Sequence, residues 1–280
     1  MQLFTESHKK CLNITHMDKR PIGVFDSGVG GLSVLKELQQ LLPNENFIFL
    51  ADQLYVPYGE KSKRQLIDLS YRITDYFLTH DIKLMVVACN TATCYTIDSL
   101  RKKYQLPIVG TVPAIKPAAE NTQSGVVAII STPATAKSKT LKQLIKKHCR
   151  DITVFNIGCK NLEDAVENGK SKDVEISDLL KKYLKRVKYS DADHLVLGCT
   201  HYPFLKDVLE KIMNPSVKII DSGPAIAKQA QSLLTAHSIK NTDKKGRGKT
   251  SYLTTGDAVK FSIIAEQLLG NPVKAKTIKI

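Results

Sequence analysis

Three features of the chain predict an α/β fold of two pseudo-symmetric domains, each a mostly parallel sheet flanked by helices, with the active site in the cleft between them. The first is a set of short apolar runs rich in Val and Leu that lack polar alternation, which read as strands buried on both faces of a parallel sheet. The second is the alternation of such runs with stretches of helical spacing. The third is an internal echo. IKLMVVACNTATCY, from Ile82 to Tyr95, and DADHLVLGCTHYPF, from Asp191 to Phe204, share one plan, in which a short apolar run ends in a cysteine followed by hydroxyl and polar side chains. Cys89 and Cys199 therefore fall at the carboxyl ends of two equivalent strands, the edge at which open α/β sheets bind ligands.

The elements follow in order. Residues 1–20, MQLFTESHKKCLNITHMDKR, lack the continuous apolar core of a secretory signal, so they are read as a flexible extension and the protein is placed in the cytoplasm. Pro21–Phe25 is the first expected strand. It feeds Asp26-Ser27-Gly28-Val29-Gly30-Gly31 and an amphipathic helix from Leu32 to Leu42. Glycines in such a turn allow positive φ and bring helix amides close to an anion. The spacing matches neither the dinucleotide fingerprint nor a P-loop, and Asp26 speaks against phosphate, leaving anion binding and simple helix capping both open. Phe47–Ala51 is the second strand, and its following loop, residues 52–61, carries the turn Pro57-Tyr58-Gly59. Leu66, Leu69, Ile73 and Phe77 give Ser62–Thr79 a helical period. After the strand that ends at Cys89, a helix is expected from beyond Cys94 to Tyr104, then a strand over Pro107–Gly110 and a proline-bearing boundary segment over Val112–Pro117.

The second half repeats the first. Gly125–Ile130 delivers Ser131-Thr132-Pro133-Ala134-Thr135 and a lysine-bearing helix, Ile152–Ile157 takes the place of Phe47–Ala51, and Leu195–Leu197 delivers Cys199. A strand near Val217–Ile220 leads into Asp221-Ser222-Gly223-Pro224, which suits a helix start. Helix Ala225–Leu234, loop Asn241–Lys249, strand Ser251–Thr254 and helix Ala258–Leu269 are too few for a third domain and are assigned to the first. The expected division is a 1–20 extension, a first domain of 21–113 plus 224–280, and a second domain of 114–223.

Composition narrows the function. The 280 residues suffice for a sizeable core, and no apolar stretch approaches the roughly 20 residues of a membrane helix, so no membrane association is expected. The six cysteines, at 11, 89, 94, 149, 159 and 199, show no metal-ligand spacing, so reduced thiols and no metal are expected. The net charge of +14 comes from lysines spread along 137–147, 181–188 and 244–249, without interleaved aromatics or a nucleic-acid module. These read as solvated faces, with no nucleic-acid partner, although such a field also attracts a small anionic substrate.

Two facing thiols permit a specific chemistry. A cysteine becomes a usable base when a helix start or positive neighbour favours its thiolate, and Cys89 and Cys199 are both read as standing at helix starts. A flat carbanion held between two such groups loses a proton to one and regains it from the other on the opposite face, inverting a stereocentre with no cofactor. Asp26 near Cys89 and His201 near Cys199 are placed to orient or accept protons, and Asn90, Thr91 and Thr200 to hydrogen-bond a carboxylate.

At this point DSGVGG (26–31), PYGEKS (57–62), ACNTAT (88–93) and GCTHYP (198–203) can be taken together. With these motifs the chain, from about Pro21 to its end, resembles the glutamate racemase family, cofactor-independent enzymes of the aspartate/glutamate racemase group that supply D-glutamate for peptidoglycan. The resemblance implies that Cys89 takes the α-proton from D-glutamate and Cys199 from L-glutamate. It implies that Asp26, Ser27, Tyr58, Gly59, Asn90, Thr91, Thr200 and His201 line the substrate pocket, with Asp26 and His201 assisting the thiols, and that Glu167, in AVENG, is an assisting glutamate. It also implies a homodimer. One departure is visible, since Gly158-Cys159-Lys160-Asn161 stands where relatives carry cysteine-proline and a more apolar run. The competing readings are an aspartate racemase of the same fold, a basic nucleic-acid-binding protein, and a cysteine hydrolase using Cys199 and His201.

Overall fold

The structure, a computed structural model, describes residues 17–243 and 246–280. Most of the expected extension, including Cys11, lies outside the described residues. The elements run β1 (Ile22–Asp26), α1 (Leu32–Leu41), β2 (Phe47–Ala51), α2 (Lys63–Leu78), β3 (Leu84–Val87), α3 (Asn90–Lys103) and β4 (Ile108–Gly110). There follow α4 (Ile115–Asn121), β5 (Val126–Ser131), α5 (Pro133–Lys137), α6 (Lys139–His148), β6 (Thr153–Gly158), α7 (Leu162–Glu167), α8 (Val174–Lys188), β7 (His194–Leu197), α9 (Lys206–Ile212) and β8 (Lys218–Ile220). The chain ends with α10 (Gly223–Ala236), β9 (Thr250–Thr254), α11 (Ala258–Leu269) and β10 (Ala275–Thr277).

The strands form two wholly parallel sheets, ordered β10-β9-β2-β1-β3-β4 and β6-β5-β7-β8. The last four strands of the first sheet and the four of the second have the same order. In each, the chain leaves its first strand in one direction and returns on that strand's other side. The order therefore reverses between β1 and β3 and between β5 and β7, and an open α/β sheet has its binding crevice where such a reversal occurs. Cys89 lies just past β3 and Cys199 just past β7.

The apolar runs become strands because both faces are covered. Every residue of β1, β2 and β3 is buried, and alternate side chains enter different cores, Ile22 and Val24 one, Phe25 and Leu50 another. The first of these cores continues through Ala128, Ile130, Leu195 and Leu197 of the second sheet, so one apolar cluster joins the two. Two connections link the sheets, one after β4 and one after β8, and the Ser222 hydroxyl of the second donates to the Val112 carbonyl of the first at 2.6 Å. Helix α10, after the second connection, packs back on α1. Among the described residues, no helix is long and apolar enough to cross a membrane.

Three local expectations are corrected. Helix α3 begins at Asn90 rather than beyond Cys94, because Cys89 is its N-cap, accepting from the Ala92 amide at Sγ (3.4 Å). Cys199 starts no α-helix. Proline at 203 has no N–H to reach the Cys199 carbonyl, which is met instead by the Tyr202 amide at 3.1 Å, and a 3₁₀ turn over Tyr202–Leu205 follows. The boundary segment is helical from Ile115, with Pro117 tolerated in the first turn of α4. Strand β10 was not expected at all.

Candidate active site

The carboxyl ends of the two sheets enclose a cavity of only about 20 Å³, onto which both Cys89 and Cys199 open. Of the residues expected to bind substrate, Ser27, Tyr58, Gly59, Asn90, Thr91, Thr200 and His201 also line it. Asp26 and Glu167 do not. They stand immediately behind the wall, each buried and each bonded to a residue that forms it.

On the first sheet's side, Asp26 ends β1 with Oδ1 accepting from the Gly28 amide (2.9 Å) and the Ser27 hydroxyl (3.3 Å), while Oδ2 accepts from the Thr200 hydroxyl (2.9 Å) of the other sheet. Burial pushes the Asp26 carboxyl above its ordinary value, against the His201 charge and these hydrogen bonds. The Cys89 thiol donates to the Ser27 hydroxyl at 3.9 Å. Burial, and then the Asp26 charge, push Cys89 well above the ordinary thiol value. The helix start that favours a thiolate is thus outweighed in the closed cleft by the loss of water. The Tyr58 hydroxyl is committed to Asp52 Oδ2 at 2.6 Å, so it is not a free donor to the cavity. Thr91 reaches across to Thr132 (3.0 Å) and Thr135 (3.1 Å), closing a hydroxyl network between α3 and α5.

On the second sheet's side, Cys199 Sγ lies 3.6 Å from His201 Nδ1, and His201 Nε2 lies 2.7 Å from Glu167 Oε1. Glu167 also accepts from the Val29 amide at Oε1 (2.6 Å) and from Gln53 Nε2 at Oε2 (2.9 Å). Burial raises the Cys199 pKa, and the His201 charge opposes it. Burial disfavours the imidazolium, yet Cys199 and Glu167 outweigh it and hold the His201 pKa well above its ordinary value. Burial works against the Glu167 carboxylate too, but the His201 contact and the Gln53 and Val29 donors keep its pKa below the usual range.

This arrangement revises the role of the glycine turn. None of Gly28, Gly30 and Gly31 has positive φ. A Cβ on Gly28 would lie 1.8 Å from Glu167 Oε1, and one on Gly30 would lie 2.4 Å from His201 Nδ1. The glycines are required because the relay's side chains rest directly against the backbone.

Besides Val56 and Pro57, which contribute apolar wall, four residues that shape the site carried no assignment from sequence. Asp52 holds Tyr58, Gln53 holds Glu167, and Thr132 and Glu163 line the cavity. Thr132 had a signal, since Ser131-Thr132 follows β5 as Asp26-Ser27 closes β1. Glu163 had none beyond its place after the irregular 158–161 run. Its Oε2 is buried without a hydrogen-bond partner among the described residues, and burial raises its pKa above the ordinary 4.5. A carboxyl raised on folding makes the folded state bind more protons than the unfolded one, so its cost appears as pH rises above that ordinary value and vanishes below it. Glu163→Gln is therefore expected to stabilise the protein by about 1 kcal/mol at pH 8 and by less at pH 5. Urea titrations at both pH values check this; an equal gain at both would contradict the assigned cause.

The Asp/Glu/Hydantoin racemase family model matches residues 22–230. The glutamate racemase of Ectopseudomonas mendocina is 42% identical over 256 residues, covering 91% of this chain and 97% of that protein, and that of Herpetosiphon aurantiacus is 40% identical over 252 residues, covering 90% and 99%. The crystal structure of a Bacillus anthracis glutamate racemase isoform superimposes with a TM-score of 0.85 at 29% identity, covering 94% of this chain and 98% of that one. The Francisella tularensis glutamate racemase, solved in complex with D-glutamate, gives 0.81 at 29% identity, with the same coverage. A matched fold, a model spanning most of the length and full-length relatives agree with the paired thiols, and the chain belongs to the Asp/Glu/Hydantoin racemase family.

Proposed function

We propose that this protein interconverts L- and D-glutamate by a cofactor-independent two-base mechanism. The observation that carries the proposal is that Cys89 and Cys199, from different sheets, open onto one cavity, each beside its own buried acidic or basic partner. In the D-to-L direction, the Cys89 thiolate takes the α-proton and forms an S–H bond. The electron pair left on carbon is delocalised into the carboxylate, which Asn90 and Thr91 meet with hydrogen bonds, while Thr200 lines the same pocket with its hydroxyl given to Asp26. The Cys199 thiol then returns a proton to the opposite face, leaving its own thiolate ready for the reverse reaction. His201, with Glu167 behind it, steadies that thiolate, whereas Asp26 orients the Ser27 hydroxyl that accepts from the Cys89 thiol and so stands at the end of a path that can take the Cys89 proton. The positive charge needed to offset burial is brought in part by the substrate's own ammonium group.

The halves 21–113 with 224–280 and 114–223 are read as lobes that part to admit substrate and close on it. Glutamate is favoured over aspartate by the relatives, since the pocket itself discriminates one methylene by only about 1–3 kcal/mol. The product is D-glutamate for peptidoglycan. Because the mechanism needs both thiols reduced, and the five described cysteines are free, the cytoplasm suits it.

In heavy water, each product enantiomer should carry solvent deuterium at the α-carbon from its first appearance, with turnover of glutamate far exceeding that of aspartate. Transfer of the substrate's own proton to product, or a preference for aspartate, would overturn the respective parts. One observation favours a second reading, because Cys199, His201 and Glu167 do stand in a thiol, imidazole and carboxylate line suited to a cysteine hydrolase. That reading leaves Cys89 on the same cavity with no task, and amide hydrolysis by the purified protein is its test.

A further inference from the structure

The Cys199 relay is not built from the second sheet alone. Cys199, His201 and Glu167 all belong to segments around β7 and α7, but two of the three donors to the Glu167 carboxylate come from the first sheet's loops. They are the Val29 amide after β1 and the Gln53 side chain after β2. Gln53 is itself held. Its Oε1 accepts from the Thr254 hydroxyl at 2.9 Å, which fixes the amide so that its NH₂ faces Glu167. Thr254 is fully buried at the end of β9, and the neighbouring Asp52 is pinned through Tyr58 and the Thr255 hydroxyl (2.8 Å). A rigid arm thus extends from the first sheet to the last member of a proton relay on the second.

We propose that Gln53 is a positioning residue for proton transfer at Cys199, completing the Cys199–His201–Glu167 relay only while the two sheets are closed on each other. The inference rests on the two-base reading above. When the cleft opens, Val29 and Gln53 withdraw from Glu167, which keeps His201 as its one donor. A carboxylate stripped of two donors pulls the shared proton from the imidazole, and His201 no longer steadies the Cys199 thiolate. Closure restores all three bonds, so the base facing L-glutamate is assembled when substrate is enclosed and dismantled when product leaves. Gln53 touches no reacting atom and acts through Glu167.

The test uses the full chain with Gln53→Met, which conserves volume and removes both hydrogen bonds, and with Thr254→Val, which frees the amide to rotate. The reaction's equilibrium obliges kcat/KM to fall equally in both directions, by about 10- to 100-fold for Gln53→Met. The diagnostic readout is therefore the primary isotope effect with α-deuterated substrates. Once the Cys199 step limits the rate, the effect should rise with deuterated L-glutamate, whose labelled bond is broken by Cys199. It should fall with deuterated D-glutamate, whose labelled bond is broken at Cys89 before the limiting barrier. Thr254→Val should also raise the effect with L-glutamate and lower that with D-glutamate, each by less, and it supplies the answer if thermal melting shows that Gln53→Met does not fold. Isotope effects unchanged from the parent in a folded variant, or reduced rates with both effects shifted alike, would overturn the proposal. Failure of the parent to racemise glutamate would instead overturn the functional reading on which it stands.

Discussion

Cys89→Ser and Cys199→Ser are each expected to lower racemisation by at least about 1000-fold, because a hydroxyl in place of the thiol cannot ionise in a site that already resists ionisation of sulfur. Both positions are buried, at 6% and 7% exposure, and serine is close in size to cysteine, so the fold should survive. The double variant should be scarcely worse than either single one, since inversion needs both faces served and groups that act as a unit are not additive. The remaining thiol should still work on its own face. In heavy water Cys89→Ser should place deuterium into L-glutamate without inverting it, and Cys199→Ser should do the same to D-glutamate. Chiral chromatography with mass detection reads both outcomes. Parental turnover by either variant would remove the basis of the assignment.

The second large effect concerns closure. The cavity holds about one water molecule, so glutamate cannot enter unless the loops of the two sheets separate. A Cβ built on Gly59 lies 3.6 Å from the Thr132 Cβ on the opposite sheet, within the range spanned by a disulfide. Gly59→Cys combined with Thr132→Cys is expected to lose all turnover on oxidation and to regain its reduced-state rate with a thiol reductant. The parent and Thr132→Cys alone, treated identically, exclude oxidation at Cys89 or Cys199 as the cause. Undiminished activity in the cross-linked protein would mean that substrate reaches the thiols without separation of these loops.

The parts of this fold that can be read from sequence are those in which one local pattern has one structural cause. The run ending at Val87 is wholly apolar because both faces of β3 are covered, and the repeat of that run before Cys199 exposes the pseudo-symmetry. Ser62 and Gln65 form a capping box that marks the start of α2. Strand β10 gives no such signal, because Ala275, Lys276 and Thr277 sit at a sheet edge and join it by backbone bonds. The cysteines and His201 are chemically conspicuous wherever they occur. Gln53 is an ordinary loop glutamine until Glu167, 114 residues away, is brought against it, and Glu163 is an ordinary helical acid until the cleft closes over it. The glycine turn was visible, but its reason was not, since crowding by Glu167 and His201 is a tertiary fact.

The placement of β9 and β10 has a consequence for biosynthesis. The outer edge of β2 is paired by residues 250–254, so on a translating ribosome that edge stays bare while residues 52–249 are made, roughly 10–40 s at ordinary elongation rates. During that interval Phe49 lacks Tyr252 and Phe261, the rings that flank it in the finished protein at 6.4 and 6.1 Å. The nascent polypeptide therefore carries an unpaired apolar ribbon until residues 250–261 emerge, and truncation before that stretch is expected to give insoluble product on expression.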